Sequence, residues 1–254
     1  MSLEYKSRIN QLLVKGVPNG LYFSEWLKKE GYSDQLLKKY RESAWLTSLS
    51  KGVMYRTGSA LSAYAALNCY NKQLNKTFRV AAHSALEIVG FNHYVPMGKP
   101  ILVVAHPKQN IPAWTKSDKF DRTIKLFSTE TFVEPQIVTM NIDGLDLLVS
   151  SPEQAFMECL LLVPNQYNYM DLYYIMEQLT TLRPEIVQHL LETTKSQKIK
   201  RMFLYMAEKT GHYWYEQLDL SNVELGNSKY QLVEGGTYIA KYKITIPKEL
   251  NEYE

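Results

Sequence analysis

Between residues 1 and 58 the chain uses one device three times: a short run with apolar residues at helical spacing, each closed by a breaker. The first, about Leu3 to Val14, offers Ile9, Leu12 and Leu13 as its apolar face and is stopped by Gly16, Pro18 and Gly20. The second, Ser24-Glu25-Trp26-Leu27-Lys28-Lys29-Glu30, is expected to take Ser24 as its N-cap and Gly31 as its stop. The third begins at Ser33, whose hydroxyl can cap the next turn, and runs through Leu36, Leu37 and Tyr40 to about Ser43. Two apolar-rich runs, Trp45–Leu49 and Val53–Arg56, then bracket Ser50-Lys51-Gly52, which predicts a β-hairpin. Helix, helix, helix, hairpin is the order of a winged helix.

Charge is distributed to match. The net charge of +3 over 254 residues names no partner, but residues 1–58 hold ten Lys/Arg against five Asp/Glu and the remainder is at −2. In a winged helix the third helix enters the major groove. With Leu36, Leu37 and Tyr40 turned to the core, its opposite face presents Gln35, Lys38, Lys39 and Arg41, with Ser33 and Asp34 at the N-terminal end. Arg and Gln can form bidentate bonds to guanine and adenine, and Lys suits phosphate. Lys51 and Arg56 lie on the hairpin, where a wing touches backbone or minor groove. The expected DNA-binding residues are therefore Ser33, Gln35, Lys38, Lys39, Arg41, Lys51 and Arg56. The competing reading is a solvated helix face, and a small winged helix can also serve as a protein-docking module.

The remainder, residues 59–254, is expected to be a mixed α/β domain, making the whole chain α+β. Ser59 to Gln73 reads as helix, Phe78-Arg79-Val80-Ala81 as strand, and His83 to Val89 as a short helix ended by Gly90. Ile101–Ala105 is a continuous apolar run, the mark of a buried strand. Gln136–Ile142 and Leu145–Ser150 flank Asp143-Gly144, a strong hairpin signal. Ser151-Pro152-Glu153-Gln154 opens a helix with a capping Ser, Pro at the first helical position and Gln at the reciprocal capping position. Helices follow over about Tyr169–Leu182, Pro184–Thr194 and Gln197–Lys209, stopped by Gly211. Tyr238–Ile246 predicts one long strand with Ala240, Tyr242, Ile244 and Ile246 on one face.

Motifs for catalysis are absent from the sequence. There is no P-loop, GxGxxG or GxSxG, and His83, His93, His106, His189 and His212 are scattered without metal-ligand spacing. The best carboxylate pairs, Asp118/Asp121 and Asp143/Asp146, lie in a polar loop and about a tight turn, where Asp is favoured for backbone reasons. A metal-dependent nuclease built on them is the enzymatic alternative; the expectation is no enzyme, no metal and no cofactor. Cys69 and Cys159 sit in apolar helical stretches and read as buried thiols. No run approaches the roughly 18 apolar residues of a membrane span, and Met1-Ser2-Leu3-Glu4-Tyr5 lacks the features of a signal peptide. A cytoplasmic protein is expected. Lys200-Arg201, with Lys195 and Lys198 just before, is the most basic feature of the C-terminal half.

Over nearly its whole length the chain resembles the AbiEi antitoxins of type IV toxin–antitoxin systems. Trp45-Leu46 to Gly52-Val53-Met54-Tyr55-Arg56 is similar to that family's wing, and Ala85-Leu86-Glu87 through Gly90 to His93-Tyr94 to its "ALE-x-x-G-x-x-HY" block. Ile111-Pro112-Ala113-Trp114, Ser151-Pro152-Glu153-Gln154-Ala155, Leu182-Arg183-Pro184-Glu185 and Lys198–Leu204 follow in order, then Leu225-Gly226 and Lys241–Pro247. The chain departs from the family at Ala81-Ala82, where two glycines precede the "ALE" block. The resemblance implies a winged helix that binds inverted repeats in double-stranded operator DNA and represses its own operon. It also implies a C-terminal region that counteracts a nucleotidyltransferase-like toxin, without a stable complex being required. Arg183, Lys200 and Arg201 are the candidates there for an antitoxin or second basic surface.

Overall fold

Capping chemistry and turn handedness set most of the element boundaries in the computed structural model, which describes residues 3–91, 98–128 and 130–253, with side chains from residue 8 onward. The chain folds as two compact units. One comprises residues 1–79, 96–128 and 139–148, and the other residues 80–95, 129–138 and 149–254. The unit that carries the winged helix thus runs on past residue 58.

The first unit opens with α1 (Leu3–Lys15), β1 (Tyr22–Phe23), α2 (Ser24–Lys29), α3 (Asp34–Glu42), β2 (Leu46–Ser50) and β3 (Val53–Arg56). Three strands form an antiparallel sheet in the order β1-β3-β2, with Tyr22 opposite Met54 and Leu46 opposite Arg56. Ile9, Leu12, Leu27, Leu37, Tyr40, Leu46 and Met54 close one buried cluster beneath them. Each fully buried aliphatic side chain contributes about 1.5–3 kcal/mol here, so the three apolar stripes define the core. Ser33 caps α3 by accepting from the Leu36 amide at 3.2 Å, as expected. Ser24 does not cap α2. It is the first helical residue, because Phe23 is held extended by its pairing with Val53 and takes the cap position. Strand β1 went unread in the sequence, since two residues carry no periodicity.

Past the hairpin, α4 (Ala63–Leu74) is capped by Ser62 and by Asp121, whose carboxylate accepts from the Ala63 amide at 2.7 Å. Gln73 on this helix accepts from the Phe23 amide at 3.0 Å and donates to the Leu21 carbonyl at 2.8 Å, which ties α4 to β1. Rings of Phe23, Tyr70, Phe78, Trp114 and Phe120 pack edge to face or tilted at centroid distances from 4.9 to 6.2 Å. Such contacts add about 0.5–1.5 kcal/mol per pair beyond burial.

A five-stranded sheet contains β4 (Arg79–Val80), β5 (Ile101–His106), β6 (Thr123–Ser128), β7 (Ile137–Ile142) and β8 (Leu145–Ser150), in the order β6-β5-β4-β8-β7. The apolar run of β5 is the buried strand expected, paired in parallel with β6 from Ile101↔Thr123 to His106↔Ser128. β6 itself, half exposed and interrupted by Lys125, gave no clear signal. Asp143 and Gly144 both take left-handed angles, φ 51° and 79°, which a two-residue hairpin turn of this hand requires.

The second unit holds α5 (Ala82–Ile88), α6 (Pro152–Leu162), α7 (Tyr169–Gln178), α8 (Pro184–Thr193) and α9 (Gln197–Thr210). Helix α6 is capped by Ser151 and starts on Pro152, as its sequence indicates. Buried over most of its surface, with polar Glu153, Gln154 and Glu158 included, it is a core element of this unit, and Phe156 meets Phe203 of α9 edge to face at 5.9 Å. Ala82, at the position where glycine was expected, sits buried at φ 48°. His93-Tyr94 of the same block lie outside the described residues.

The C-terminal stretch corrects the sequence reading. Tyr238–Ile246 is not one strand: β9 (Tyr230–Gln231), β10 (Thr237–Ile239) and β11 (Ile244–Ile246) form a sheet in the order β10-β11-β9 before α10 (Lys248–Glu252). The chain turns at residues 240–243, with Lys243 left-handed at φ 51° and Ala240 exposed. The turn sends the Tyr242 ring inward, where its hydroxyl meets Glu208 and Tyr215, each at 2.8 Å. Tyr242, Ile244 and Ile246 are all buried, so the alternation was real while the straight backbone was not.

Candidate nucleic-acid interface

At 100° per residue, the burial of Leu37 and Tyr40 and the partial burial of Leu36 leave a face of α3 centred between Gln35 and Lys38 turned to solvent. Ser33, Asp34, Gln35, Lys38, Lys39 and Arg41 are all exposed. The Lys38 ammonium lies 3.7 Å from Glu42, an exposed pair of i,i+4 spacing whose attraction is weak in water. It therefore opens readily for another anion.

The hairpin tip is short and pinned. Lys51 and Gly52 make the turn, with an irregularity between Ser48 and Ser50, and the Gly52 carbonyl accepts from the Ser24 amide at 2.8 Å. Gly52 is left-handed at φ 75°, and a Cβ there would stand 2.9 Å from Ser24 Oγ. Gly52→Ala is expected to destabilise the first unit by about 1–2 kcal/mol, read as a lower denaturant midpoint with an unchanged slope. An unshifted midpoint would show that the tip is not held in this conformation.

Between α3 and the hairpin lies an open cleft of about 440 Å³. Asp34, Leu37 and Arg41 line it from the helix, and Ser48, Lys51 and Met54 from the hairpin. The Arg41 guanidinium rests against the Met54 sulfur at 3.3 Å. The structure thus brings Arg41 and Lys51 together at the cleft and sets Gln35, Lys38 and Lys39 on the adjoining helix face. Arg56 is apart from them, at the foot of the hairpin opposite Leu46 and roughly 10 Å of strand from the turn. There it lies near Tyr22, whose phenol is pushed up to about 12 by burial against the opposing pull of Arg56. Ser24, Ser48 and Ser50 also line the cleft; no local motif could have marked them, because hairpin and helix meet only in the fold.

Two of the three residues proposed for a second basic surface are interior. Arg201 is 1% exposed and Lys200 4%. The Arg201 guanidinium donates to the carbonyls of Leu225 (2.9 Å from Nε), Ser228 (2.8 Å) and Lys243 (2.9 Å). Its charge is spent on orphan acceptors of the C-terminal segment, and burial pulls its pKa below the ordinary guanidinium value. Arg183 remains at the surface, half exposed. It forms a bidentate pair with buried Glu153, both contacts at 2.9 Å, while its own amide donates to the same carboxylate at 3.0 Å. Burial alone would raise Glu153, but these bonds together hold its carboxyl below the usual value. Both carboxylate pairs considered for an enzyme have structural partners: Asp121 at the α4 cap, and Asp146 accepting from Asn141 at 2.8 Å. Among the described residues no group of three or more His, Cys, Asp and Glu is arranged to hold a metal ion, and no helix is long and apolar enough to cross a membrane.

Two family models match the chain end to end. Residues 5–97 match the N-terminal domain of the AbiEi antitoxin transcriptional regulators, and residues 99–247 match the transcriptional regulator, AbiEi antitoxin, of type IV toxin–antitoxin systems. Among solved structures, the RV2827C protein from Mycobacterium tuberculosis is similar, with a TM-score of 0.64 over 96% of this chain and 92% of that one. At 16% identity that likeness concerns the fold alone. A comparison with curated proteins returns no match. The chain belongs to the AbiEi family of transcriptional regulators, antitoxins of type IV toxin–antitoxin systems.

Proposed function

We propose that this chain binds double-stranded operator DNA upstream of its own gene, at inverted repeats, and represses its operon. In this reading it is not an enzyme. DNA binding falls to the winged helix within residues 1–58, and residues 59–254 counteract a nucleotidyltransferase-like toxin. The observation that carries the proposal is where the helix and hairpin place these side chains: Gln35, Lys38 and Lys39 exposed on α3, with Arg41 and Lys51 lining a shared cleft beside them. A major groove about 12 Å wide admits one helix. Lys38 and Lys39 would then meet phosphates, Gln35 and Arg41 base edges, and Lys51 the flanking backbone. Ser33 at the cap adds a hydroxyl to the same end, while Arg56 at the hairpin foot could reach DNA only beyond the central contacts. On the antitoxin side, Arg183 is the one of its three candidates placed at the surface, and its carboxylate partner already orients it.

Fluorescence anisotropy against the upstream duplex and a scrambled duplex, at two salt concentrations, tests this. Each phosphate contact should contribute about 0.9 to the slope of log affinity against log salt. Lys38→Ala should weaken both duplexes alike and lower that slope by about one contact. Arg41→Ala and Gln35→Ala should also erase part of the preference for the native duplex, by roughly tenfold. Equal losses on both duplexes for all three variants would remove the base-reading assignment. Salt-insensitive behaviour with no DNA bound would instead favour a winged helix that docks a protein.

A further inference from the structure

We infer that Asp34 is a specificity-determining residue of this interface, accepting from the N4 amino group of a cytosine in the major groove; the inference rests on the DNA-binding reading above. Asp34 is the first residue of α3, directly after the Ser33 cap, and its side chain is 76% exposed. It lines the same cleft as Arg41 and Lys51, two turns from Arg41 along one edge of the helix. A recognition helix meets base edges with its N-terminal residues, so this carboxylate stands at the reading end of a helix that carries Lys38, Lys39 and Arg41 further along.

An anion in that place is repelled by the phosphates on both sides unless a donor on a base compensates it. In the major groove only two bases offer an amino group. Adenine sets its N6 beside the N7 acceptor, which opposes a carboxylate, whereas the cytosine N4 amino group has no such acceptor beside it on the same base edge. The carboxylate is therefore selective by attraction to one base and by repulsion from the others. In the free protein its oxygen lies 2.9 Å from the Lys28 ammonium of α2. Both partners are largely exposed, so the pair is weak and opens easily. Lys28 then becomes free for a phosphate while Asp34 turns to the base.

An acidic first residue also complements the helix dipole, and that purely structural role predicts no change in base preference. Anisotropy titrations separate the two, using the upstream duplex and a set of duplexes in which each C·G pair in turn becomes T·A. For the unaltered chain, one such change is expected to weaken binding by roughly tenfold or more. Asp34→Asn and Asp34→Ala should flatten the response at that pair alone, keep the others, and tighten binding to the scrambled duplex. Lys28→Ala should lower affinity uniformly and keep the preference. Variants of Asp34 with the unaltered preference profile, on an operator that the unaltered chain does recognise, would overturn this inference only. An unaltered chain that does not distinguish native from scrambled DNA would overturn the DNA-binding reading and this inference with it.

Discussion

Arg201→Met is expected to lower the stability of the second unit by about 3–5 kcal/mol, because three carbonyls lose their donor and each acceptor left unsatisfied costs about 1–3 kcal/mol. Methionine fills most of the volume but donates nothing. The carbonyls of Leu225, Ser228 and Lys243, each reached by the guanidinium at 2.8–2.9 Å, would lose a charge-assisted donor. These acceptors come from the turn before β9 and the turn between β10 and β11, so one side chain organises both approaches to the C-terminal sheet. Arg201→Lys is expected to recover little, because a single ammonium cannot present a planar fork of donors to three separated carbonyls. Chemical denaturation followed by hydrogen exchange on residues 225–246 is the measurement. Exchange should rise first in β9, β10 and β11. A methionine variant within 1 kcal/mol of the parent, with the sheet still protected, would mean that packing alone holds this segment.

Glu158→Ala is expected to cost a similar amount, about 3–5 kcal/mol, for the complementary reason: three donors share one buried acceptor, and each donor left unsatisfied costs about 1–3 kcal/mol. The fully buried carboxylate accepts from the Ala82 amide at 2.9 Å, from Ser150 Oγ at 3.1 Å and from Gln154 Nε2 at 2.8 Å. Ala82 takes a left-handed conformation, and its φ of 48° carries a strain of about 1–2 kcal/mol for any residue with a Cβ. The bond to Glu158 offsets that strain, so losing the acceptor should expose it. Glu158→Gln keeps the shape and one acceptor oxygen and should lose distinctly less. Calorimetry of Glu158→Ala with and without Ala82→Gly checks the coupling: glycine should recover part of the loss. Strictly additive effects would show that the carboxylate and the left-handed residue are independent.

Much of the fold was legible where its signals are short-ranged. Ser33 and Ser151 cap the helices they precede, and Asp143-Gly144 turns its hairpin, each by chemistry completed within four residues. The face of α3 followed from three apolar residues and a 100° step. What escaped was decided across the chain: the two-residue strand β1, made a strand by Val53 and Met54; the cap of α2, displaced to Phe23 by the same pairing; and β6, ordered by its parallel neighbour. The candidate interface shows the same division. Lys38 and Lys39 could be placed from their own helix, whereas the cleft that joins Arg41 and Asp34 to Lys51 exists only once hairpin and helix pack.

The two ends of the chain mark the limit most clearly. By itself the sequence determined that the stretch between Ser33 and Ser43 forms an amphipathic helix with cations outward, because turning three neighbouring apolar residues to the core leaves the charges one direction. It could not determine which way Lys200 and Arg201 face, nor that Tyr238–Ile246 bends. Those were decided by the tertiary structure: the partners of Arg201 lie 24, 27 and 42 residues away, and a buried cation is tolerated only where such acceptors converge.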